Sequence, residues 1–393
     1  MRATWVSTVA LLICSTAVAA EAVLEPKLAL SELAAAPAIP TGLQVKEPLR
    51  IRDFLAEFEL TSDHGKLPVV GIDSLSIRLA EQQALDRLIE LESHPHLADA
   101  LSEHALPAPA ADPRTEGMRG RGPARFYRSR EDQLVRNLAA LERPMLKLAM
   151  LDSHNATLRA LSQQLAIDPY TTHPLLRVRL DRLVTAMLAD QQLADAVMEV
   201  AVAPEHPEST IDPQLWQHSP AQLVQMGMQR MMATGVAHRA SQRFFANPFV
   251  SPSLALQWLD AHEALGPMPG ADAMVMLGVA AESEGEIRML ISQLQWAGQY
   301  QHKDDPLVAF NVQRQAPSFR TRANRIVVLL PVAYLSWTEP FAEFAQRPDM
   351  IGSEKIIWIS GHASPAALAG LKAADWQVRT AVAFDPVASS KAE

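Results

Sequence analysis

Beyond Leu265 the hydrophobic pattern of this 393-residue chain changes its period, and that change limits the folds open to it. Up to that point, leucine and methionine recur every three or four positions, as the buried stripe of an amphipathic helix requires. The first stripe is Leu75, Leu79, Leu85, Leu88 and Leu91, with Asp73 or Ser74 as the expected cap and Pro95 as its end. A second runs from Leu134 through Leu138, Leu141, Met145, Leu148 and Leu151 to Leu158, Leu161 and Leu165, with Pro144 expected to kink it. A third joins Leu176, Leu180, Leu183, Met187, Ala194 and Val197, and a less regular one spans Pro220 to Phe245. The runs "LRIRDFLAEFEL" and "KLPVVGI" read equally as strands or as a helix and a strand.

After "LGPMPGAD" the runs "AMVMLGVA", "LVAFNVQ", "RIVVLLPV", "KIIWISG" and "VRTAVAF" are short and β-rich. Helical patterns fall between several of them, which predicts a partly parallel sheet with covering helices. The stretch from "LVAFNVQ" to "RIVVLLPV" has no helix and reads as an antiparallel pair with a long loop. The expected fold is therefore α+β and mainly helical. An N-terminal helical domain over 49–265 precedes a smaller α/β domain with a mixed sheet over 271–385, and 386–393 is a tail. "LPAPAADPRTEGMRGRGP", within 106–123, has prolines and glycines and no apolar period, so a flexible loop is expected there.

The first residues constrain the compartment. Arg2, an apolar stretch from Val6 to Cys14, and Ala17 and Ala19 before Glu21 have the order of a cleaved secretory signal over 1–20, followed by an extended leader over 21–48. Cys14, the only cysteine, lies inside that signal, so the mature chain is expected to lack thiols, disulfides and thiolate metal sites. Periplasm or secretion is the expected location. No later run approaches the length of a membrane helix, so no transmembrane segment is expected after signal removal. A formal charge of −9 argues against broad binding to nucleic acid.

The turn "SGHASP" follows a predicted strand and opens a predicted helix. Ser364 before Pro365 suits a cap, and the free N–H groups there could hold an anion. With His362 and the arginines Arg314, Arg320, Arg322 and Arg325 of "QRQAPSFRTRANR", it forms a candidate anion site, set against simple strand-to-helix capping. The turn is similar over a short span to the active-site turn of rhodanese-like domains. The position at which that family carries its cysteine is Trp358, which argues against sulfur transfer.

"LVQMGMQRMMATGVAH" places Met228, Met231 and Met232 on one helical face, where core packing is the expected role and a thioether site for Cu(I) is the alternative set against it. His94, His96, Asp99 and His104 lack zinc-site spacing. The arginines from Arg114 to Arg130, with Phe126 and Tyr127, read as an exposed loop rather than a nucleic-acid site. Glu57 and Glu59 share a face only in a strand, while Glu282, Glu284 and Glu286 open a helix, where acidic side chains favour the positive end of the dipole. The expected function is that of an exported, non-enzymatic binding or interaction protein with no cofactor and with another envelope protein as partner. The alternative is a small-molecule enzyme or binding protein with an anion site in the α/β domain.

Overall fold

The computed structural model describes residues 27–33, 36–52, 54–95, 97–98, 101, 152–201, 211–313, 316–348 and 350–382. The signal, the loop at 106–123, the arginines from Arg114 to Arg130, and the stripe from Leu134 to Leu151 lie outside them, as do His96, Asp99, His104 and Arg314.

The undecided segment at 49–70 supplies three strands and no helix among its described residues. β1 (Lys27–Leu28), β2 (Gln44–Val45), β3 (Leu49–Arg52), β4 (Leu55–Ser62) and β5 (Gly65–Val70) form an antiparallel sheet in the order β1-β3-β4-β2, with β5 also on β4. Along β4, Ala56, Phe58 and Leu60 are buried while Glu57 and Glu59 between them are partly exposed, the period-two alternation of a half-buried strand. Parts of the expected leader are thus built into this sheet.

Gly71, at φ 86, turns the chain directly into α1 (Ile72–Glu92), so the cap is the glycine and not Asp73 or Ser74. Leu75, Leu79, Leu85, Leu88 and Leu91 are all buried, as their spacing predicts. α2 (Asp152–Gln164), α3 (Pro174–Ala189) and α4 (Gln191–Val200) pack with the second half of α1 around one core of Leu85, Leu88, Leu161, Leu176, Leu180, Leu183 and Val197. The third stripe is two helices, not one. Asp190 ends α3, and its carboxylate accepts the amides of Gln192 at 2.8 Å and Leu193 at 3.3 Å, capping α4.

α5 (Gln214–Gln217), α6 (Pro220–Ala233), α7 (His238–Phe245), α8 (Pro252–Glu263), α9 (Ala271–Ala280) and α10 (Glu284–Lys303) follow. The run "AMVMLGVA", expected as a strand, is α9. A short apolar run without turns inside it has no period to separate a buried strand from a buried helix. Here Gly278 lets the helix lie against the ring of Phe244, to which an added Cβ would come within 2.6 Å. Buried Asn247 donates to the carbonyls of Gly278, Val279 and Ala281 and closes the helix end.

The second sheet has the order β12-β10-β8-β7-β6, from β6 (Leu307–Gln313), β7 (Ala316–Thr321), β8 (Ile326–Leu330), β10 (Lys355–Ile359) and β12 (Trp376–Arg379). It is mixed: β8, β10 and β12 run parallel, and β6, β7 and β8 are antiparallel neighbours. The segment expected as one antiparallel pair therefore supplies three strands. α11 (Glu339–Ala345) and α12 (Pro365–Ala373) make the crossovers, and β9 (Tyr334–Leu335) pairs with β11 (His362–Ala363) past the strand ends. α10 covers the opposite face, where Tyr300 meets the ring of Trp358 at 5.1 Å and Gln293 donates to the carbonyl of Leu329 at 2.7 Å. The fold is mainly helical α+β, and one continuous core runs from Leu215 of α5 to Trp376 of β12.

Candidate functional site

The "SGHASP" turn is a tightly bonded join. Gly361 lies so close to the next loop that a Cβ would come within 1.9 Å of the carbonyl oxygen of Ala333. Ser364 is buried and accepts the amide of Ala367 at 3.0 Å, while its own amide donates to Leu335 at 2.9 Å. His362 is exposed, and its Nε2 bonds the carbonyl of Glu32 at 2.8 Å.

The arginines lie elsewhere. Arg325 precedes β8 and pairs with Glu354 at 2.9 Å; Arg320 bonds Asn324 and the carbonyl of Ile351; Arg322 is exposed in the same turn. All three sit at the amino end of the parallel strands, whereas His362 and Ser364 follow their carboxyl ends. The length of β8 alone separates the two groups by about 13 Å. The structure does not bring them together.

The methionines are divided among three environments. Met231 is fully buried in the apolar core, Met228 is half-buried against it, and Met232 is 39% exposed. Among the described residues no group of three or more His, Cys, Asp or Glu side chains is placed to hold a metal ion. Glu57 and Glu59 face solvent on β4 and pair with Arg52, and with Lys46 and Lys66, respectively.

Among the described residues, the densest cluster of buried charge was not foreseen from sequence. Arg78 on α1 is 3% exposed; its guanidinium donates to Glu81 at 2.5 Å, to Thr172 Oγ1 at 2.7 Å, and to both oxygens of Glu284 at 3.2 and 3.3 Å. Arg288, one turn along α10, gives Nε and Nη2 to Glu284 Oε1 at 2.8 and 2.5 Å, and the Thr171 hydroxyl bonds Glu81. Burial by itself raises the carboxyl of Glu284, but Arg288 and Arg78 bring it down to about 2, so it is an anion at every ordinary pH.

The loop between α2 and α3 completes the cluster. Asp168 accepts from Ser253 of α8 at 2.5 Å and from the Tyr170 amide at 2.8 Å, and burial lifts its carboxyl to about 6. Burial pushes the ring of His173 down to about 4. The acidic opening of α10 had a dipole explanation available, and only the tertiary contact with α1 gives Glu284 its second role. The one signal in sequence was Arg78, a cation in line with the leucines of the α1 stripe.

In open α/β sheets the crevice past the carboxyl ends of the parallel strands is the usual ligand site. Here the N-terminal sheet fills it. Phe54, in the turn between β3 and β4, holds the left-handed conformation at φ 74 and is 4% exposed. Its carbonyl accepts the amides of Ala333 and Tyr334 at 3.0 and 3.2 Å, and its ring meets Phe341 of α11 edge-on at 6.1 Å. Ala333 and Tyr334 pack on the core of the N-terminal sheet, and Glu32 bonds His362. A separate, small apolar cleft of about 30 Å³ lies between the starts of α6 and α8, lined by Leu223, Val224, Phe245, Val250 and Leu256 among others. No family model matches this chain, and neither a curated protein nor a solved structure is found similar to it.

Proposed function

We propose that this is an exported, non-catalytic binding protein of the cell envelope, whose helical part contacts another envelope protein. The observation that carries the reading is the occupied crevice. The position where an α/β sheet ordinarily receives a small ligand holds Phe54 and the strand turns beside it. A residue in the left-handed region costs on the order of 1 kcal/mol and persists only where packing over-determines it, so the wedge is firmly seated. The buried cationic and anionic side chains are turned on one another, with Arg78 bonded to Glu81 and Glu284, and Arg288 to Glu284. The order of residues from Arg2 to Glu21 supports export. The exposed side chains of Leu175 and Leu188 on α3 and of Met232 on α6 offer apolar contacts on the helical part.

The test is fractionation of a bacterial host expressing the full sequence, with mass determination of the product. Photo-crosslinking residues at positions 175, 188 and 232 then report neighbours. A mature chain beginning at Glu21 in the periplasmic fraction, crosslinked at those positions to one envelope protein, is expected. A chain intact from Met1 in the cytosol, or purified protein that turns over a small substrate, would overturn the reading.

A further inference from the structure

The buried network ties together α1, the loop from Asp168 to His173, and the first turns of α8 and α10. Most of its bonds involve groups whose charge is fixed near neutrality. The bond made by His173 is different, because it depends on an unprotonated nitrogen. His173 is the N-cap of α3: Nδ1 accepts the amide of Leu176 at 3.3 Å, which places the ring proton on Nε2. The residue is 1% exposed, and Nε2 has no hydrogen-bond partner among the described residues. A second proton must go to Nδ1. It would set two N–H donors against each other at the helix start and add a cation beside Arg78.

The groups facing this loop come from every element around it. α1 supplies Arg78 and Glu81, α10 supplies Glu284 and Arg288, α8 supplies the Ser253 hydroxyl, and α2 supplies Arg159, which reaches Tyr170. The Tyr170 hydroxyl bonds the carbonyl of His218. We propose that the Asp168–His173 loop is a proton-operated latch: neutral His173 caps the start of α3, next to the Thr171 and Thr172 contacts to α1, its protonation uncaps and releases that helix start, and Asp168 is a counterweight that resists release.

The sign follows from the two side chains. Opening lets His173 titrate at its ordinary 6.5 in place of about 4, so acid favours opening as pH falls from 6.5 towards 4. Asp168 acts the other way, since opening returns it from about 6 to 3.8 and acid therefore favours the closed form between those values. Between pH 7 and pH 5, His173 multiplies the opening equilibrium about 20-fold and Asp168 divides it about 10-fold, which leaves the unaltered chain with a change of about twofold.

The test is amide hydrogen exchange at Leu176 and Arg177 in the full chain at pH 7 and pH 5, corrected for intrinsic exchange. Asp168→Asn should unmask an increase of about 20-fold in opening at pH 5, while His173→Asn, which keeps a neutral cap, should reverse the direction to a decrease of about 10-fold. Variants whose pH response equals that of the unaltered chain would overturn the latch. Should either variant fail to fold, the His173 ring titration by NMR in the unaltered chain decides: a midpoint below pH 5 supports the proposal and a higher one overturns it.

Discussion

Replacing Glu284 by glutamine keeps the shape of the side chain and removes the anion on which two buried guanidiniums converge. Its folded carboxyl titrates at about 2 against 4.5 when exposed, and that difference corresponds to about 3 kcal/mol of folding free energy at pH 7. Breaking a buried pair by deleting one partner costs about 3–5 kcal/mol in general, so two independent routes reach the same magnitude. The contribution is present in full above the unfolded value of 4.5 and is lost as pH falls through 4.5 towards 2. Urea unfolding of Glu284→Gln beside the unaltered chain, followed by fluorescence of the buried tryptophans, measures it directly. The gap should be about 3 kcal/mol at pH 7 and should narrow by about 1 kcal/mol at pH 4. A gap under about 1 kcal/mol at pH 7, or one that stays constant down to pH 4, would show that Arg78 and Arg288 do not depend on this carboxylate.

Three further outcomes follow from the packing. Phe54→Ala should lose about 3–5 kcal/mol and speed hydrogen exchange at Ala333 and Tyr334 more than in α3; uniform acceleration would contradict a wedge. Gly361→Ala should destabilise by more than about 2 kcal/mol because the added methyl meets a backbone oxygen, whereas Ser364→Ala should cost about 1 kcal/mol, the value of a cap; equal effects in chemical denaturation would refute the clash. Met231→Leu should change stability by less than about 1.5 kcal/mol and leave Cu(I) titration unaltered, and loss of a titratable copper would reinstate the thioether site.

Period and caps made much of the fold legible. The leucines of α1 and α3, the helices α10, α11 and α12, and the strands β8 and β10 lie where their spacing and flanking turn residues put them. The errors occur where local pattern is silent. From Ala273 onward α9 is apolar all round, so its residues had no face to read. In β4 the charges Glu57 and Glu59 alternate with the apolar Phe58 and Leu60 for only four residues, too short a run to separate a strand from a helix turn. The site was less legible than the fold. Arg320, Arg322 and Arg325 were near His362 and Ser364 only in the order of elements, and the direction of β8 and β10 sends them to opposite ends. The Arg78–Glu284 contact spans 206 positions, a distance over which composition and spacing carry no signal.

The bond between Glu32 and His362 spans 330 positions. Synthesis runs from the first of these residues to the second, so the amino-terminal ribbon is made long before the surface it must cover exists. Until α11 has emerged, Phe54 has nowhere to settle and its apolar ring stays uncovered. Ordering so long a connection is entropically costly and slow, which makes docking of that ribbon a late step in maturation. A chain cut short within its last strands would therefore be left unfinished at both ends at once.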